Sequence, residues 1–146
     1  MSLMMLSLTV GDSMAAITFN LQQQMDFGTL ISPSSRERNT IRPNGNITFE
    51  STILKGTPVP AHFTISGATN GNATVTVENL VSGDNMLTFR NPRGRFNNRN
   101  VRFPWALDSS FQGDNRDFYI GARLVVRSNV RNEAHNMQYD IVVTYE

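Results

Sequence analysis

The sequence predicts an all-β chain that folds as an antiparallel β-sandwich of immunoglobulin-like type, and three observations lead to this prediction. Apolar residues recur at every second position through most of the chain, as expected of strands that bury one face. Turn-forming Asn-Gly, Gly and Pro residues separate these stretches at short intervals. Clean 3.6-residue periodicity is absent from every segment of about ten or more residues. With 146 residues and no linker, the chain has the size of one domain.

About nine alternating stretches are predicted strands, and in chain order they are residues 17–22, 25–31, 47–53, 61–66, 73–78, 86–89, 101–107, 118–127 and 137–145. Two polar segments between them, 32–46 and 91–100, are predicted loops. Asn44-Gly45 signals a tight turn, and Asn70-Gly71 is interpreted as the tip of a hairpin. Because Pro104 interrupts the seventh stretch, that strand is predicted to lie at a sheet edge or to contain a bulge.

An apolar ribbon precedes these strands. Its apolar side chains occupy alternate positions, namely Met4, Leu6, Leu8 and Val10. An apolar strand at a chain terminus needs a cover, because exposed apolar surface is unfavourable in water. The cover is either its own domain, in which the ribbon is an ordinary first strand, or a neighbouring molecule. A third interpretation is a secretory signal, against which stands the lack of Lys or Arg before the apolar run.

Short motifs stand at both ends of the predicted domain. Near its start, Ile17-Thr18-Phe19 is followed by Met25-Asp26-Phe27-Gly28-Thr29-Leu30, and at its end lie the strand pair 118–126 and 139–145. These motifs resemble the opening and closing strands of a family of secreted bacterial proteins known only as a domain of unknown function. The resemblance covers about residues 15–146. Asn136 and Asp140 stand where that family has glycines, so the turn before the last strand departs from its pattern.

Members of this family look like fimbrial (pilin) subunits in size and strand pattern. The resemblance implies a secreted structural subunit of an extracellular, cell-surface filament, with copies of itself, an assembly chaperone and an usher as partners. In such filaments the N-terminal strand of one subunit completes the sandwich of the next, which is donor-strand complementation. On this hypothesis residues 1–14 are the extension and residues 15–146 the domain. Met4, Leu6, Leu8 and Val10 would insert, contributing roughly 6–12 kcal/mol before ordering costs. The hinge would consist of Gly11, Asp12 and Ser13.

An arginine cluster is the second candidate site. Together with Trp105, it forms a predicted interface or ligand patch whose arginines are Arg90, Arg93, Arg95, Arg99 and Arg102. Arg with aromatic residues can bind an acidic glycan or a nucleic acid, but a net charge of +1 argues against nucleic acid. Alternatively, the arginines pair with acidic groups on the same or a neighbouring subunit, and Trp105 belongs to the core. The alternative function is therefore a monomeric glycan-binding module, lectin-like or adhesin-like.

No motif in the sequence predicts catalysis, a cofactor or a metal site. The chain has no cysteine, no Gly-x-Ser-x-Gly motif and no phosphate-binding glycine loop. His62 and His135 are far apart, and neither has a partner at metal-ligand spacing. An enzyme with an unrecognised site is the third hypothesis. Since no apolar run approaches about 18 residues, no membrane span is predicted. Asn46 and Asn72 each begin a glycosylation sequon.

Overall fold

The computed structural model describes residues 2–5, 17–68, 73–107 and 112–145, and over these residues the chain is all β. The described parts contain thirteen strands and no helix. The strands are β1 (Ser2–Met5), β2 (Thr18–Gln23), β3 (Asp26–Leu30), β4 (Glu37–Ile41), β5 (Ile47–Phe49), β6 (Ile53–Lys55), β7 (Ala61–Ala68), β8 (Ala73–Val81), β9 (Leu87–Phe96), β10 (Arg99–Val101), β11 (Trp105–Leu107), β12 (Gln112–Val126) and β13 (His135–Tyr145).

Two sheets face each other across one apolar core. The first has the order β11-β8-β13-β1-β3-β6, and the second has the order β10-β9-β12-β4-β5, with β7 beside the first half of β12 and β2 beside β7. Aromatic rings meet between the sheets. Phe27 of the first sheet lies 6.1 Å from Phe49 and 6.5 Å from Phe89 of the second, measured between ring centroids. This face-to-face packing of antiparallel sheets agrees with a β-sandwich.

β12 is the central strand of the second sheet. It pairs with β9 on one side and with β7 and then β4 on the other. Its inward residues are buried, namely Phe118, Ile120, Ala122, Leu124 and Val126. Burial of each large apolar side chain contributes about 1.5–3 kcal/mol. β13 repeats the pattern in the first sheet, so both long strands predicted near the C-terminus are confirmed.

The tight turn at Asn44-Gly45 is confirmed. It joins β4 to β5, which pair antiparallel. The Arg42 N–H donates to the Asn46 carbonyl at 2.8 Å, and the Gly45 N–H donates to the Arg42 carbonyl at 2.9 Å. Gly45 has φ +93°, a left-handed conformation that glycine adopts without steric penalty. The stretch 101–107 is one predicted strand, but it divides around Pro104 into the end of β10 in the second sheet and β11 in the first. The predicted edge position is confirmed, because β10 and β11 each end a sheet.

Both predicted loops contain strands, and in this the sequence interpretation is wrong. Residues 32–46 include β4, and residues 91–100 include the end of β9, a turn at Asn97–Asn98 and β10. β4 looks polar because one of its inward residues is Asn39, which is fully buried. Its side-chain amide donates to Ser51 Oγ at 2.9 Å and its side-chain oxygen accepts from the Ser51 N–H at 3.0 Å. The buried amide is thus satisfied by a residue twelve positions away.

Two further strand assignments change in the structure. The stretch 47–53 is one predicted strand, but it divides at Ser51 into β5 of the second sheet and β6 of the first. The predicted hairpin at Asn70-Gly71 is wrong, although those two residues lie outside the described part. β7 and β8 on either side of it belong to different sheets, so this connection crosses from one sheet to the other. Alternation indicates which face of a strand is buried, but it does not indicate the neighbouring strand.

Candidate functional site

β1 occupies the centre of the first sheet, between β3 and β13. It runs antiparallel to β3, with Ser2 opposite Thr29 and Leu3 opposite Gly28, and parallel to β13, with Met5 opposite Met137. All other pairings between described strands are antiparallel. Since β3 and β13 do not pair with each other, β1 is the strand that joins β11-β8-β13 to β3-β6.

The two strands that flank β1 are anchored in the core. Phe27 and Leu30 of β3 are buried, as are Met137, Tyr139 and Ile141 of β13. Without β1, these strands would form the two walls of an open gap whose backbone groups lack a ladder partner. We call this space, between residues 26–29 and residues 135–137, the β1 gap.

Asp26 makes hydrogen bonds at the start of β3, one of the two strands that border the β1 gap. Its carboxylate accepts a hydrogen bond from the Gly28 N–H at 2.7 Å, and its backbone exchanges two hydrogen bonds with Val59, at 3.0 and 2.9 Å. Gly28 has φ +79°. Asp26 is therefore a hydrogen-bonding residue beside this glycine.

Of the four predicted donor-strand residues, Met4 lies in β1. Leu6, Leu8 and Val10 lie outside the described residues, and so do the predicted hinge residues Gly11, Asp12 and Ser13. The structure thus brings the beginning of the ribbon to the gap between β3 and β13 of its own domain, and the first domain strand, β2, pairs with β7 in the other sheet. Which molecule fills the gap in an assembly stays a prediction.

A β-bulge in β9 directs the predicted arginine cluster to the outer face of the second sheet. Opposite β12, Arg90 pairs with Arg123 and Arg93 pairs with Gly121, so three steps along β9 match two along β12. Asn91 in the bulge has φ +55°. The extra residue shifts the alternation by one position, because side chains of a strand alternate faces. Arg90, Arg93 and Arg95 consequently share one face.

Of these three arginines, Arg93 lines a pocket of about 500 Å³ on the outer face. Four arginines line it, namely Arg42, Arg93, Arg102 and Arg123. We call it the arginine pocket. Five neutral polar residues also line it, namely Thr40, Asn44, Thr48, Asn91 and Asn100, and the other lining residues are Ile41, Pro43, Gly94, Val101 and Ala122. No carboxylate is among the described lining residues, so their net charge is positive.

The guanidinium groups at the pocket make weak contacts with neutral partners. Arg42 approaches Thr48 Oγ1, Arg123 approaches Thr40 Oγ1, and Arg93 approaches the Pro92 carbonyl, each at 3.4 Å. This is long for an N–H···O hydrogen bond, which is usually about 2.9–3.0 Å. No ion pair between two described residues involves an arginine, so the predicted pairing with acidic groups of the same subunit is not found in this part of the chain.

The predicted patch is only partly the pocket. Arg93 and Arg102 line it, while Arg95 lines a neighbouring depression with Asn98 and Tyr119. Arg90 lies beside the pocket, with a buried Nε that has no hydrogen-bond partner among the described residues. Arg99 lies on the edge strand β10 and lines neither cavity.

Trp105 packs toward the core. Its ring is stacked on that of buried Phe118, with centroids 5.3 Å apart and planes at 9°, and lies 4.8 Å from that of Phe96. It is not among the residues that line the arginine pocket. The geometry therefore favours the interpretation that Trp105 belongs to the core over the interpretation that it belongs to a ligand patch.

Arg42 and Arg123 were missed by sequence reasoning. They lie about 50 and 30 residues from Arg93 along the chain, and strand pairing brings them together. The sequence feature that could have led to this part of the site is Arg123, a charged residue on the outer face of the strongly alternating strand β12. Its position beside β4 and β9 follows only from the topology.

The histidines have structural partners. His62 Nε2 lies 2.9 Å from Asp117 Oδ1, and its ring stacks on Tyr119 with centroids 4.4 Å apart. Buried His135 contacts the Arg131 carbonyl at 2.9 Å through Nε2. Over the described ranges, no group of three or more His, Cys, Asp or Glu side chains has the arrangement of a metal site. A helix long and apolar enough to cross a membrane is likewise not found in the described part of the chain.

These features define an all-β domain with a strand gap and a basic pocket. The chain belongs to the family described as domain of unknown function DUF4402, whose sequence model matches residues 17–145. The predicted membership of a family of unknown function is therefore confirmed. The match begins after β1, so the strand in the β1 gap lies outside the matched segment. Comparisons with curated proteins and with solved structures found no match.

Proposed function

We propose that this protein is a secreted structural subunit of an extracellular, pilus-like filament that polymerises by donor-strand complementation. The β1 gap is the observation that carries the proposal. A strand from outside the family-matched segment fills the centre of a sheet whose remaining strands belong to that segment. The domain fold would be an immunoglobulin-like sandwich that depends on this added strand.

The ladder contacts of β1 are the same whether the strand comes from its own chain or from another. β1 pairs with three residues of β13 and three of β3. Each net ladder hydrogen bond is worth about 1 kcal/mol, so roughly four to six bonds would contribute several kcal/mol. Apolar burial by the rest of the ribbon would add to this.

The connection between β1 and the domain is long enough for exchange. Eleven residues, 6–16, separate β1 from the described residue Ile17. Fully extended, they reach about 36–40 Å. A domain of this length has a radius of gyration of about 15 Å, so its diameter is about the same as that reach. A head-to-tail exchange of this kind does not close on itself and propagates into a filament.

Filling of the gap by the chain's own β1 competes with exchange. A tether of eleven residues gives the intramolecular strand an effective concentration of about millimolar order. Polymerisation would therefore be favoured when subunits meet with open gaps. An assembly chaperone that covers the gap, delivering subunits to an usher, would provide this condition.

The test begins with unfolding and refolding at high protein concentration, followed by negative-stain electron microscopy and sedimentation velocity. The full chain is expected to form filaments. A variant lacking residues 1–12 should not form them, and a synthetic peptide of residues 1–11 should bind this variant.

A pair of neighbouring substitutions supplies the matched control. Leu8→Asp changes the apolar face of the ribbon and should abolish filaments, whereas Ser7→Asp changes the opposite face and should preserve them. Filaments from the chain lacking residues 1–12, or a full chain that stays monomeric after refolding, would contradict the proposal. Closed dimers would show reciprocal exchange and would contradict the filament.

A further inference from the structure

Positive charge at the arginine pocket is concentrated without compensation. Arg90 lies directly opposite Arg123 in the β9–β12 ladder, and like charges in this position repel each other. Arg42, Arg93 and Arg102 add three more guanidinium groups around the same cavity. No carboxylate is among the described residues that line this cavity. An anion in the pocket would relieve the repulsion among the lining arginines and accept hydrogen bonds from their guanidinium groups.

The neutral polar residues of the lining indicate which class of anionic molecule fits the pocket. Asn and Thr side chains both donate and accept hydrogen bonds, so they suit hydroxyl groups, which do the same. The described lining includes three asparagines and two threonines and no aromatic ring. A nucleobase would therefore find no aromatic ring to stack on, whereas sugar hydroxyls match these polar side chains. The volume of about 500 Å³ lies within the usual range of small-molecule sites, about 300–1,000 Å³.

A neighbouring depression extends the surface. Pro43 and Asn44 line both cavities, so the β4–β5 turn separates them. The second cavity, of about 390 Å³, adds Arg95 and Tyr119. A chain of sugars longer than one residue would thus find a further basic group next to the arginine pocket.

We propose that the arginine pocket binds an acidic saccharide, with the carboxylate or sulfate group of one sugar held by Arg93 and Arg123. The planar guanidinium donates two parallel hydrogen bonds to such groups, a geometry that lysine cannot provide. Asn44, Asn91 and Asn100 would bind the sugar hydroxyls. This site does not depend on the β1 gap, so it would function in a single subunit or along a filament.

The binding test uses the full chain with three probes: D-glucuronate, D-glucose and sodium sulfate. Saturation-transfer-difference NMR is suitable because it reports ligand binding to monomers and to filaments alike. Sulfate has no protons, so its affinity is measured from the loss of the glucuronate signal as sulfate is added. Glucuronate is expected to bind at least about tenfold more tightly than glucose, since about 1.4 kcal/mol corresponds to a tenfold change in affinity. It should also bind at least about tenfold more tightly than sulfate, because sulfate cannot use the asparagines as a sugar does.

Matched arginine variants locate the site. Arg93→Gln and Arg123→Gln should each raise the Kd for glucuronate about tenfold, because each removes a charge-assisted contact. Arg127→Gln removes the same charge from an exposed residue outside the lining and should change the Kd by less than about twofold. If the half-buried Arg123 is needed for folding, the Arg93→Gln variant still tests the site, because Arg93 is exposed.

Three results would overturn the proposal. Equal binding of glucose and glucuronate would show that the arginines do not select the acid. Equal binding of sulfate and glucuronate would show a simple anion site that does not recognise sugar. Equal weakening by Arg127→Gln and Arg93→Gln would show that only the overall charge matters. Failure of filament formation would leave all three measurements interpretable, because they need only the folded subunit.

Discussion

Replacing Gly121 with alanine should destabilise the protein through a backbone collision beside the arginine pocket. A Cβ atom added at Gly121 would lie 2.8 Å from the backbone nitrogen of Pro43 and 2.8 Å from the carbonyl carbon of Arg42, and it would also collide with the carbonyl oxygen of Ile41. These are backbone atoms at the end of β4, so a side-chain rotation cannot relieve the overlap. Overpacking of this kind costs about 1–3 kcal/mol. Lower entropy of the unfolded chain offsets about 0.4–1 kcal/mol of that cost.

The free energy of unfolding should therefore fall by about 1–2 kcal/mol in Gly121→Ala. Urea unfolding followed by Trp105 fluorescence measures it, and the midpoint should fall by about 0.5–1 M for a slope near 2 kcal/mol per M. Gly45→Ala is the control, because a Cβ there meets nothing within 4 Å and only its φ of +93° is unfavourable. That conformation costs about 1–2 kcal/mol and should leave Arg123 and its contacts in place. A Gly121→Ala protein within about 0.5 kcal/mol of the parent would refute the close approach of β4 to β12.

Three other substitutions test the buried polar pair, the pH dependence and the role of the tryptophan. Asn39→Ala removes both hydrogen bonds to Ser51 and should lower the free energy of unfolding by about 2–4 kcal/mol in urea titrations; a loss below about 1 kcal/mol would contradict their burial. Burial raises the pKa of Tyr139, so the unfolded chain loses the phenolic proton at a lower pH than the folded protein does. Above about pH 10, the free energy of unfolding should therefore fall by up to about 1.4 kcal/mol per pH unit. Urea midpoints between about pH 9 and 11.5 should show a shallower fall in Tyr139→Phe, and equal slopes would exclude this contribution. Trp105→Ala removes the ring stacked on Phe118 and should lower the free energy of unfolding by about 2–4 kcal/mol. The affinity for glucuronate should stay within about twofold of the parent's. A stable variant that no longer binds glucuronate would place Trp105 in the ligand site.

The parts of the fold that were predicted correctly depend on residues close together in the sequence. β13 alternates between buried and more exposed residues over its eleven residues. β12 buries every second residue from Phe118 to Val126. The Asn44-Gly45 turn forms within five residues, through hydrogen bonds between Arg42 and Asn46 and between Gly45 and Arg42. Such short-range preferences do not require knowledge of the neighbouring strand.

The errors arise where a distant partner decides the structure. Asn39 makes β4 look like a loop, and its place in the core depends on Ser51 supplying both hydrogen bonds. β9 continues through a polar stretch because the bulge at Asn91 keeps its charged residues on the outer face. The crossing between β7 and β8 looks like a hairpin because the sequence shows two strands and a turn signal but not their sheets.

The candidate site follows the same division. The cluster of Arg93 and Arg102 is visible in the sequence, whereas Arg42 and Arg123 join them only through the pairing of β4, β9 and β12. The apolar ribbon at the N-terminus is visible as well. Its position between β3 and β13 is not, because those strands are far apart in the chain and their separation in the sheet leaves room for one more.

By itself, the sequence determined that this protein is all β, that two strongly alternating strands lie at 118–127 and 137–145, and that an apolar strand precedes the domain. Tertiary structure alone decided which strands are neighbours, where β1 inserts and which arginines share a pocket. The physical reason is that alternation and turn preferences are local properties of the backbone and side chains. Strand order and register instead depend on which distant strands together bury the most apolar surface and satisfy the most backbone hydrogen bonds.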